Sequence, residues 1–349
     1  MKILITGGSG FIGSNLVIRA VKEGHEVLNI DLLTYAACQD NLSSVSNNKN
    51  YNFKQIDVRD SIAITSAIKN FKPNYLMHLA AESHVDRSID SAMDVISTNI
   101  IGTYTVIDAF TKYWIDLGAP EGYRFHHIST DEVYGSVINN EKFKEDTPYN
   151  PKNPYSASKA SSDHFVRAWA NTYNTPIIIT NCSNNYGPFQ FPEKLIPVVI
   201  LKILNNEKIP VYGNGKQIRD WIHVDDHTRA LLLLLEKGEN GQTYNIGSNN
   251  ELENIEVIYL ICDYLQDKLK SKSSYRDLIH FVDDRPGHDQ HYGIDSSKLI
   301  NKFLWQPEYE FDKGICLTID WYLDNKIWLH KLQKRDGVGS RLGKKYSKN

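Results

Sequence analysis

A glycine-rich turn near the start of the chain separates an apolar strand pattern, residues 2–6, from an amphipathic helix pattern. The glycines fall at three-residue spacing, at Gly7, Gly10 and Gly13. Apolar residues then recur at helical spacing, at Leu16, Val17, Ala20 and Val21. Gly24 supplies a residue able to end the helix. A strand, a tight turn and a helix start in this order present backbone amides to a negative group, so the turn predicts a phosphate-binding sheet protein.

The first 185 residues alternate short apolar runs with longer amphipathic runs. The apolar runs are strand candidates at residues 2–6, 26–31, 53–58, 74–80, 124–130 and 176–182. Because strands joined by helices pair in parallel through right-handed crossovers, this alternation predicts a Rossmann-type, doubly wound α/β sheet. Ligands bind at the carboxyl ends of the strands in such sheets.

The pattern becomes less regular after residue 185, where prolines and glycines break it into shorter elements. We therefore predict a cofactor-binding domain over 1–185 and a smaller α/β substrate-binding lobe over 186–330. Residues 219–247 again show a helix and a strand pattern, and we expect this stretch to return to the first domain. Residues 331–349 form a basic tail, which we expect to be solvated.

Composition excludes several classes of function. The chain has 39 basic and 42 acidic residues, for a formal net charge of -3, so it has no general attraction to nucleic acid or to an anionic membrane. Its four cysteines lie far apart with no C-x-x-C pair, which argues against a zinc site or a disulfide framework. No apolar run approaches the roughly 20 residues of a membrane span. We predict a cytoplasmic protein without a metal, a nucleic-acid partner or a membrane partner.

Asp31 ends the second strand pattern, in register with the glycine turn. A carboxylate there accepts hydrogen bonds from an adenosine ribose and repels a 2′-phosphate, which favours NAD over NADP. Glycine triplets and aspartates also occur in ordinary turns. That explanation accounts for Asp31 itself, but not for its position in register with the glycine turn. Asp57 and Val58 end the third strand pattern and Ala80 and Ala81 the fourth, so we expect them to line the cofactor at the same sheet edge.

Tyr155 and Lys159 lie four residues apart in a predicted helix that begins near Pro154, so they share one helix face. A nearby ammonium stabilises phenolate, and we expect Lys159 to lower the pKa of Tyr155 enough for it to act as a base toward a sugar hydroxyl. This spacing is also common among surface pairs. Its position after an NAD-binding pattern favours the catalytic interpretation.

Thr130, Asp131 and Glu132 follow the fifth strand pattern, at the ligand-binding edge. Adjacent acidic residues usually just face solvent. Removing water from a sugar, however, needs one group that deprotonates carbon and another that protonates the departing hydroxyl. We predict Glu132 as the base and Asp131 as the acid.

Longer strings carry a resemblance to a known family. They are residues 78–88 (HLAAESHVDRS), 127–135 (HISTDEVYG), 155–163 (YSASKASSD), 181–188 (NCSNNYGP) and 284–288 (DRPGH). With the glycine triplet, they resemble the nucleotide-sugar dehydratases of the extended short-chain dehydrogenase/reductase family, above all those acting on dTDP-glucose. The resemblance covers residues 1 to about 328. The chain departs from the family at 36–41, where glycine and asparagine are more usual, and in the tail.

The resemblance implies a reaction sequence. Tyr155 takes a proton from the hydroxyl at carbon 4 while hydride passes to NAD, Glu132 removes the hydrogen on carbon 5, and Asp131 protonates the hydroxyl leaving carbon 6. The hydride then returns to carbon 6. The expected product from dTDP-glucose is dTDP-4-keto-6-deoxyglucose.

The resemblance also implies a set of contacts. NAD is expected to contact Gly7, Gly10, Phe11, Ile12, Gly13, Asp31, Thr34, Asp57, Val58, Leu79, Ala80, Ala81, Thr98, Tyr155, Lys159 and Asn184. The nucleotide sugar is expected to contact Ser83, Thr130, Asn184, Glu193, Lys194, Arg219, Asn254, Arg285 and His288. A homodimer formed through the helix of Tyr155 is expected as well.

Three alternatives remain open from the residues. A nucleotide-sugar 4-epimerase shares oxidation at carbon 4 but needs no acid and base directed at carbons 5 and 6. A 4,6-dehydratase of another nucleotide hexose differs only in base recognition. A catalytically silent NAD-binding scaffold would bind the cofactor without turnover.

Overall fold

The computed structural model describes residues 1–137, 141–335 and 338. Twelve strands lie in these residues: β1 Lys2–Thr6, β2 Glu26–Asp31, β3 Tyr51–Gln55, β4 Tyr75–His78, β5 Arg124–Thr130, β6 Ile177–Cys182, β7 Asn184–Tyr186, β8 Ile209–Tyr212, β9 Ile218–His223, β10 Thr243–Ile246, β11 Glu251–Glu253 and β12 Ile279–Val282. Seven of them form one large sheet in the order β10-β6-β5-β4-β1-β2-β3.

Twelve α-helices accompany these strands: α1 Phe11–Lys22, α2 Ser61–Phe71, α3 Val85–Asp90, α4 Ala92–Val95, α5 Thr103–Asp116, α6 Pro154–Tyr173, α7 Leu195–Leu204, α8 Val224–Lys237, α9 Asn254–Leu269, α10 Ser297–Phe303, α11 Phe311–Asp324 and α12 Lys326–Gln333. A π-helical stretch, Ile96–Gly102, leads into α5. None of the described helices is long and apolar enough to cross a membrane.

All pairings in the large sheet are parallel, which confirms the predicted Rossmann-type α/β fold. Helices α1, α8 and α10 cover one face around Leu16 and Leu231, and α2, α5 and α6 cover the other around Ile64 and Phe110. The strand order reverses between β1 and β4, where a crevice opens at the carboxyl ends of the strands. This reversal positions the candidate site.

Strand β10 is the seventh strand of the large sheet, although it follows the second lobe in sequence. Thr243 pairs with Ile179 and Ile246 with Cys182. The chain thus leaves the large sheet after β6 and comes back to it through α8 and β10.

The third strand corrects a predicted boundary. It spans Tyr51–Gln55 rather than 53–58, because its register against β2 ends with Asp31 opposite Gln55. Asp57 therefore lies in the following turn, where its carboxylate accepts a 2.9 Å hydrogen bond from the backbone amide of Arg59. Val58 lies in the same turn.

The smaller lobe contains two short sheets, β11-β9-β7 and β12-β8. Helices α7, α9, α11 and α12 pack around them in one apolar core that includes Ile200, Ile258 and Ile319. The four cysteines are free thiols. Of the predicted tail, residues up to Arg335 and Val338 are described, and the remainder lies outside the described residues.

Candidate active site

A cavity of 420 Å³ lies at the carboxyl ends of the large sheet and extends to the smaller lobe. The predicted residues that line it are Gly7, Gly10, Phe11, Ile12, Gly13, Asp31, Thr34, Asp57, Val58, Leu79, Ala80, Ala81, Ser83, Thr98, Thr130, Asp131, Glu132, Tyr155, Lys159, Asn184, Glu193 and Lys194. Residues from distant parts of the sequence therefore meet in one space.

The glycine turn forms the floor of the cavity at the start of α1. Gly7 has a φ of 74°, a conformation that L side chains rarely adopt. A Cβ on Gly13 would lie 2.1 Å from the carbonyl oxygen of Gly7, so the turn closes on itself only because that atom is absent. A Cβ on Gly10 would meet only the Gly7 oxygen at 3.5 Å. Space next to Gly10 is thus left for a ligand at the positive end of a helix.

Asp31 is fixed at the end of β2 by backbone donors. Its Oδ2 accepts a 2.9 Å bond from the amide of Ser9, and its Oδ1 accepts a 2.8 Å bond from the amide of Leu33. Burial raises the pKa of this carboxyl, and the two amides oppose that shift. The carboxylate therefore has a set orientation at the cavity wall.

The end of β5 carries the pair of acidic residues. Thr130 caps the short 3₁₀ turn Asp131–Tyr134, since its hydroxyl accepts the amide of Glu132 at 3.3 Å. Oδ2 of Asp131 and Oε2 of Glu132 are buried and have no hydrogen-bond partner among the described residues. Two carboxyl groups thus line the cavity, each with an oxygen atom that lacks a partner in the part of the chain that the structure describes.

The two carboxyls differ in their electrostatic surroundings. Burial raises the pKa of Glu132, while Arg285, Lys194 and Arg219 oppose the shift. Burial raises the pKa of Asp131 well above its ordinary value, and the carboxylates of Glu132 and Asp220 raise it further. Asp131 is therefore the group more inclined to hold a proton, and Glu132 the group more inclined to lose one.

Helix α6 carries Tyr155 and Lys159. Its start is fixed by a capping box, in which the Asn153 side chain accepts the Ser156 amide at 2.9 Å and the Ser156 hydroxyl accepts the Asn153 amide at 3.2 Å. The Lys159 ammonium donates to the carbonyl oxygen of Ile128 at 2.7 Å. Both side chains are buried at the cavity, one helical turn apart.

The predicted lowering of the Tyr155 pKa is wrong in this structure. The pKa of Tyr155 is raised well above its ordinary value by burial, and the carboxylates of Glu132 and Asp131 add to the shift. A hydrogen bond with Thr130 opposes it. Burial also lowers the pKa of Lys159, whose ammonium bonds a carbonyl instead of the phenol.

The smaller lobe supplies charged groups to the far side of the cavity. Lys194 donates to the Ser83 carbonyl oxygen at 2.7 Å. The nearly buried Glu193 accepts the Tyr35 hydroxyl at 3.2 Å, and the guanidinium of Arg87 lies 3.8 Å from the centre of the Tyr35 ring. These contacts join the two lobes at the cavity.

Four predicted substrate residues lie outside the cavity lining: Arg219, Asn254, Arg285 and His288. Arg285 pairs with Asp86 at 3.1 Å. The His288 ring lies 2.6 Å from Asp284, and Arg219 donates to the carbonyl oxygen of Asp289 at 2.8 Å. Asn254 begins α9, and its amide donates to the Gln217 carbonyl oxygen at 3.0 Å.

Several lining residues are missing from the sequence-based set. Ser129, Cys182 and Ser183 follow from the strand ends, because β5 and β6 finish at the same edge as β1. Gln190 and Phe191 lie in an irregular segment of the smaller lobe that only long-range packing brings to the cavity. No local pattern indicates such positions.

The chain is similar to known proteins over almost its whole length. The family model described as GDP-mannose 4,6 dehydratase matches residues 4–318. A dTDP-glucose 4,6-dehydratase of Escherichia coli is 49% identical over 359 residues, covering 98% of this chain and 99% of that protein.

Two solved structures are also similar. A dTDP-glucose 4,6-dehydratase from Bacillus anthracis in complex with NAD is 40% identical with a TM-score of 0.85, covering 95% of this chain and 99% of that chain. One from Streptomyces venezuelae with NAD and dTDP bound is 39% identical with a TM-score of 0.86, covering 95% and 100%. The chain therefore belongs to the family of nucleotide-sugar 4,6-dehydratases that the matching family model describes.

Proposed function

We propose that this chain is an NAD-dependent dTDP-glucose 4,6-dehydratase, which forms dTDP-4-keto-6-deoxyglucose and water. The observation that carries the proposal is the pair Asp131 and Glu132, whose buried acceptor oxygens lie in the same cavity as Tyr155 and the glycine turn. With NAD as the hydride acceptor, an oxidation at carbon 4 alone needs only the tyrosine as base. Two further carboxyls of unequal pKa suit the removal of water.

The residues present fit NAD. The space beside Gly10 and the start of α1 suit a pyrophosphate, and the fixed carboxylate of Asp31 suits a ribose with a free 2′-hydroxyl. When bound, NAD would supply a positively charged ring that accepts a hydride in its oxidised form, and a hydride donor in its reduced form. The contacts proposed for it are Gly7, Gly10, Phe11, Ile12, Gly13, Asp31, Thr34, Asp57, Val58, Leu79, Ala80, Ala81, Thr98, Tyr155, Lys159 and Asn184.

Tyr155 receives the proton of the hydroxyl at carbon 4. Burial and the nearby carboxylates raise the pKa of the phenol, so its function as a base requires positive charge beside it. Lys159 lies one turn further along the same helix and contributes such charge. The Thr130 hydroxyl opposes the rise in the Tyr155 pKa, and we expect it to hydrogen-bond the sugar near carbon 4.

Glu132 and Asp131 act once carbon 4 is a ketone. The ketone acidifies the hydrogen on carbon 5, and Glu132 removes it. Burial raises the pKa of Glu132, and Arg285, Lys194 and Arg219 limit that rise by favouring the ionised form. Asp131 favours the protonated form because burial, and then the charges of Glu132 and Asp220, raise its pKa well above the ordinary value. It can therefore give its proton to the hydroxyl that leaves carbon 6.

The substrate lies between the lobes in this proposal. Ser83, Thr130, Asn184, Glu193 and Lys194 line the cavity and contact the hexose. Arg219, Asn254, Arg285 and His288 contact the nucleotide and its diphosphate, which suits the planar guanidinium groups. The dTDP specificity rests on relatives described as dTDP-glucose 4,6-dehydratases.

We expect a cytoplasmic homodimer. Large apolar side chains are exposed on α6 and around the start of α5: Ile101, Tyr104, Phe165 and Tyr173 are 40–50% exposed. A second copy that covers these side chains would remove them from water. Sedimentation equilibrium distinguishes a dimer from a monomer, and a monomer contradicts this part of the proposal.

A substrate panel tests the activity. The protein is incubated with dTDP-, UDP-, GDP- and CDP-linked hexoses, and products are identified by mass spectrometry and by NMR. Loss of water from dTDP-glucose with a carbonyl at carbon 4 is expected. An isomeric hexose of unchanged mass would instead establish an epimerase, and bound NAD without any product would establish a silent scaffold.

A further inference from the structure

The loop after β2 borders the part of the cavity assigned to the adenosine ribose. Leu32, Thr34, Ala36 and Ala37 of this loop line the cavity. The loop has little regular structure of its own, so other parts of the chain must satisfy its peptide groups. The hydrogen-bond partners of these peptide groups determine how rigidly the loop is held beside the cavity.

Arg335, just beyond α12, supplies one set of partners. Its Nη1 donates to the carbonyl oxygen of Tyr35 at 2.9 Å and also to that of Ala37. Both carbonyls belong to the loop, and the two residues are about 300 positions from Arg335 in the sequence. One guanidinium thus ties two peptide groups of the cavity wall to the C-terminal helix.

Trp328, inside α12, supplies the other connection. Its indole Nε1 donates at 2.7 Å to Oδ1 of the buried Asn41. The amide of that asparagine donates at 3.4 Å to the carbonyl oxygen of Ser9, inside the glycine turn. The Trp328 ring packs edge-on against Trp321, 5.0 Å between centroids. The helix is therefore anchored in the core of the smaller lobe while it contacts both parts of the proposed adenosine site.

We propose that Trp328 and Arg335 form a C-terminal clamp that positions the ribose loop and so determines how tightly the chain retains NAD. The inference rests on the proposed function, since it takes NAD as the occupant of the cavity. Both are positioning residues, because they act through peptide groups and Asn41.

Arg335→Ala tests the clamp, with Lys331→Ala in the last turn of α12 as the matched control. Lys331 pairs with Asp40 at 2.6 Å, but its side chain is 62% exposed, and exposed pairs contribute little. NAD affinity is measured by isothermal titration of cofactor-free protein. Arg335→Ala should raise the NAD dissociation constant roughly tenfold, since hydrogen bonds from a charged group are lost, and Lys331→Ala should change it less than about twofold.

Two readouts separate positioning from general damage. The affinity of Arg335→Ala for dTDP should stay within about twofold of the parent value. The contacts proposed for dTDP lie in the smaller lobe and in loops away from the clamp. The NAD recovered by chromatography after desalting should fall, and activity should return on adding excess NAD. Equal losses of dTDP and NAD affinity overturn the clamp.

Trp328→Phe supplies a second variant that keeps an aromatic ring in the core of the smaller lobe and removes the donor to Asn41, together with part of the ring area. A few-fold weaker NAD binding is expected, smaller than for Arg335→Ala. If the parent chain binds NAD and both variants bind it equally well, the clamp is wrong while the proposed function stands. If the parent chain binds no NAD, the proposed function fails and the clamp fails with it.

Discussion

The glycine turn and the smaller lobe border the same cavity but are built in different ways. The turn is shaped mainly by close packing of its own backbone, with the oxygen of Gly7 where a side chain on Gly13 would be. The smaller lobe contributes charged side chains that already have partners in the protein, such as Arg285 on Asp86 and His288 beside Asp284. The glycine turn has no room for a side-chain atom on Gly13. A charged side chain of the smaller lobe, by contrast, can release its partner in the protein and bind a ligand instead.

The carboxyls at the end of β5 lie between these two regions. Their backbone belongs to the large sheet, and their pKa values depend on cations of the smaller lobe. The removal of water therefore depends on both the large sheet and the smaller lobe, although in our proposal only the large sheet, with its glycine turn, holds the cofactor. Substitutions in each region should separate the two contributions.

The largest effect is expected for Glu132→Gln. Loss of the base should lower kcat by about 10³, within the range for general acid–base groups, while NAD content stays unchanged. The measurement is exchange of the carbon 5 hydrogen with deuterated solvent, and it should become undetectable. Glu145→Gln, which alters another partly buried carboxyl outside the cavity, is the control. Normal exchange in Glu132→Gln contradicts the role of this residue.

Gly13→Ala tests the backbone cradle. The new Cβ would meet the Gly7 oxygen at 2.1 Å, so the turn has to open, and NAD affinity should fall by about 10² with a loss of thermal stability. The control is Gly24→Ala, where a Cβ meets nothing within 4 Å but φ is +87°. That variant should lose only the ~1 kcal/mol of a strained φ and bind NAD normally. Unchanged NAD binding in Gly13→Ala would contradict the proposed location of the pyrophosphate.

The sequence predicts the cofactor half of the cavity because its determinants are local. The turn at Gly7, Gly10 and Gly13 and the strand end at Asp31 each depend on a few consecutive residues, and parallel topology brings strand ends to one edge. The predicted end of β3 was wrong because pairing with β2, not local composition, decides where that strand stops.

The other half depends on contacts between residues far apart in the sequence. Gln190 and Phe191 line the cavity without any local pattern, and Arg335 reaches a loop about 300 positions away. The direction of the Tyr155 pKa was wrong for a related reason. Helical spacing gives the distance to Lys159 but not the burial and the two carboxylates that dominate the phenol.

Asp131→Asn tests how much the ionisation of the buried Asp131 lowers the stability of the folded protein. Because the folded state raises the pKa of Asp131, its contribution to stability is full below its unfolded pKa and is lost as pH rises through the folded pKa. Asparagine cannot ionise, so the variant should melt a few degrees higher than the parent at pH 8 and lose this advantage toward pH 4. Calorimetry across this pH range provides the measurement. Equal melting temperatures at every pH would show that Asp131 is not strained by its surroundings.

The smallest effect is expected for Asp86→Asn, which tests whether charges of the smaller lobe exchange partners. Burial alone would raise the pKa of Asp86, yet Arg285 and the Tyr212 hydroxyl at 2.7 Å hold it below its ordinary value. Asp86 is therefore ionised, and it competes with a diphosphate for the guanidinium of Arg285. Asparagine retains an acceptor for Arg285 but removes the negative charge. Affinity for dTDP should therefore rise about threefold at low salt and converge on the parent value as salt is added. Asp320→Asn makes the same change in net charge at the Lys268 pair, and it should leave dTDP affinity unchanged. Weaker dTDP binding in Asp86→Asn would mean that Asp86 orients Arg285 for the ligand. The charged side chains of the smaller lobe would then be fixed in one conformation, as the backbone of the glycine turn is.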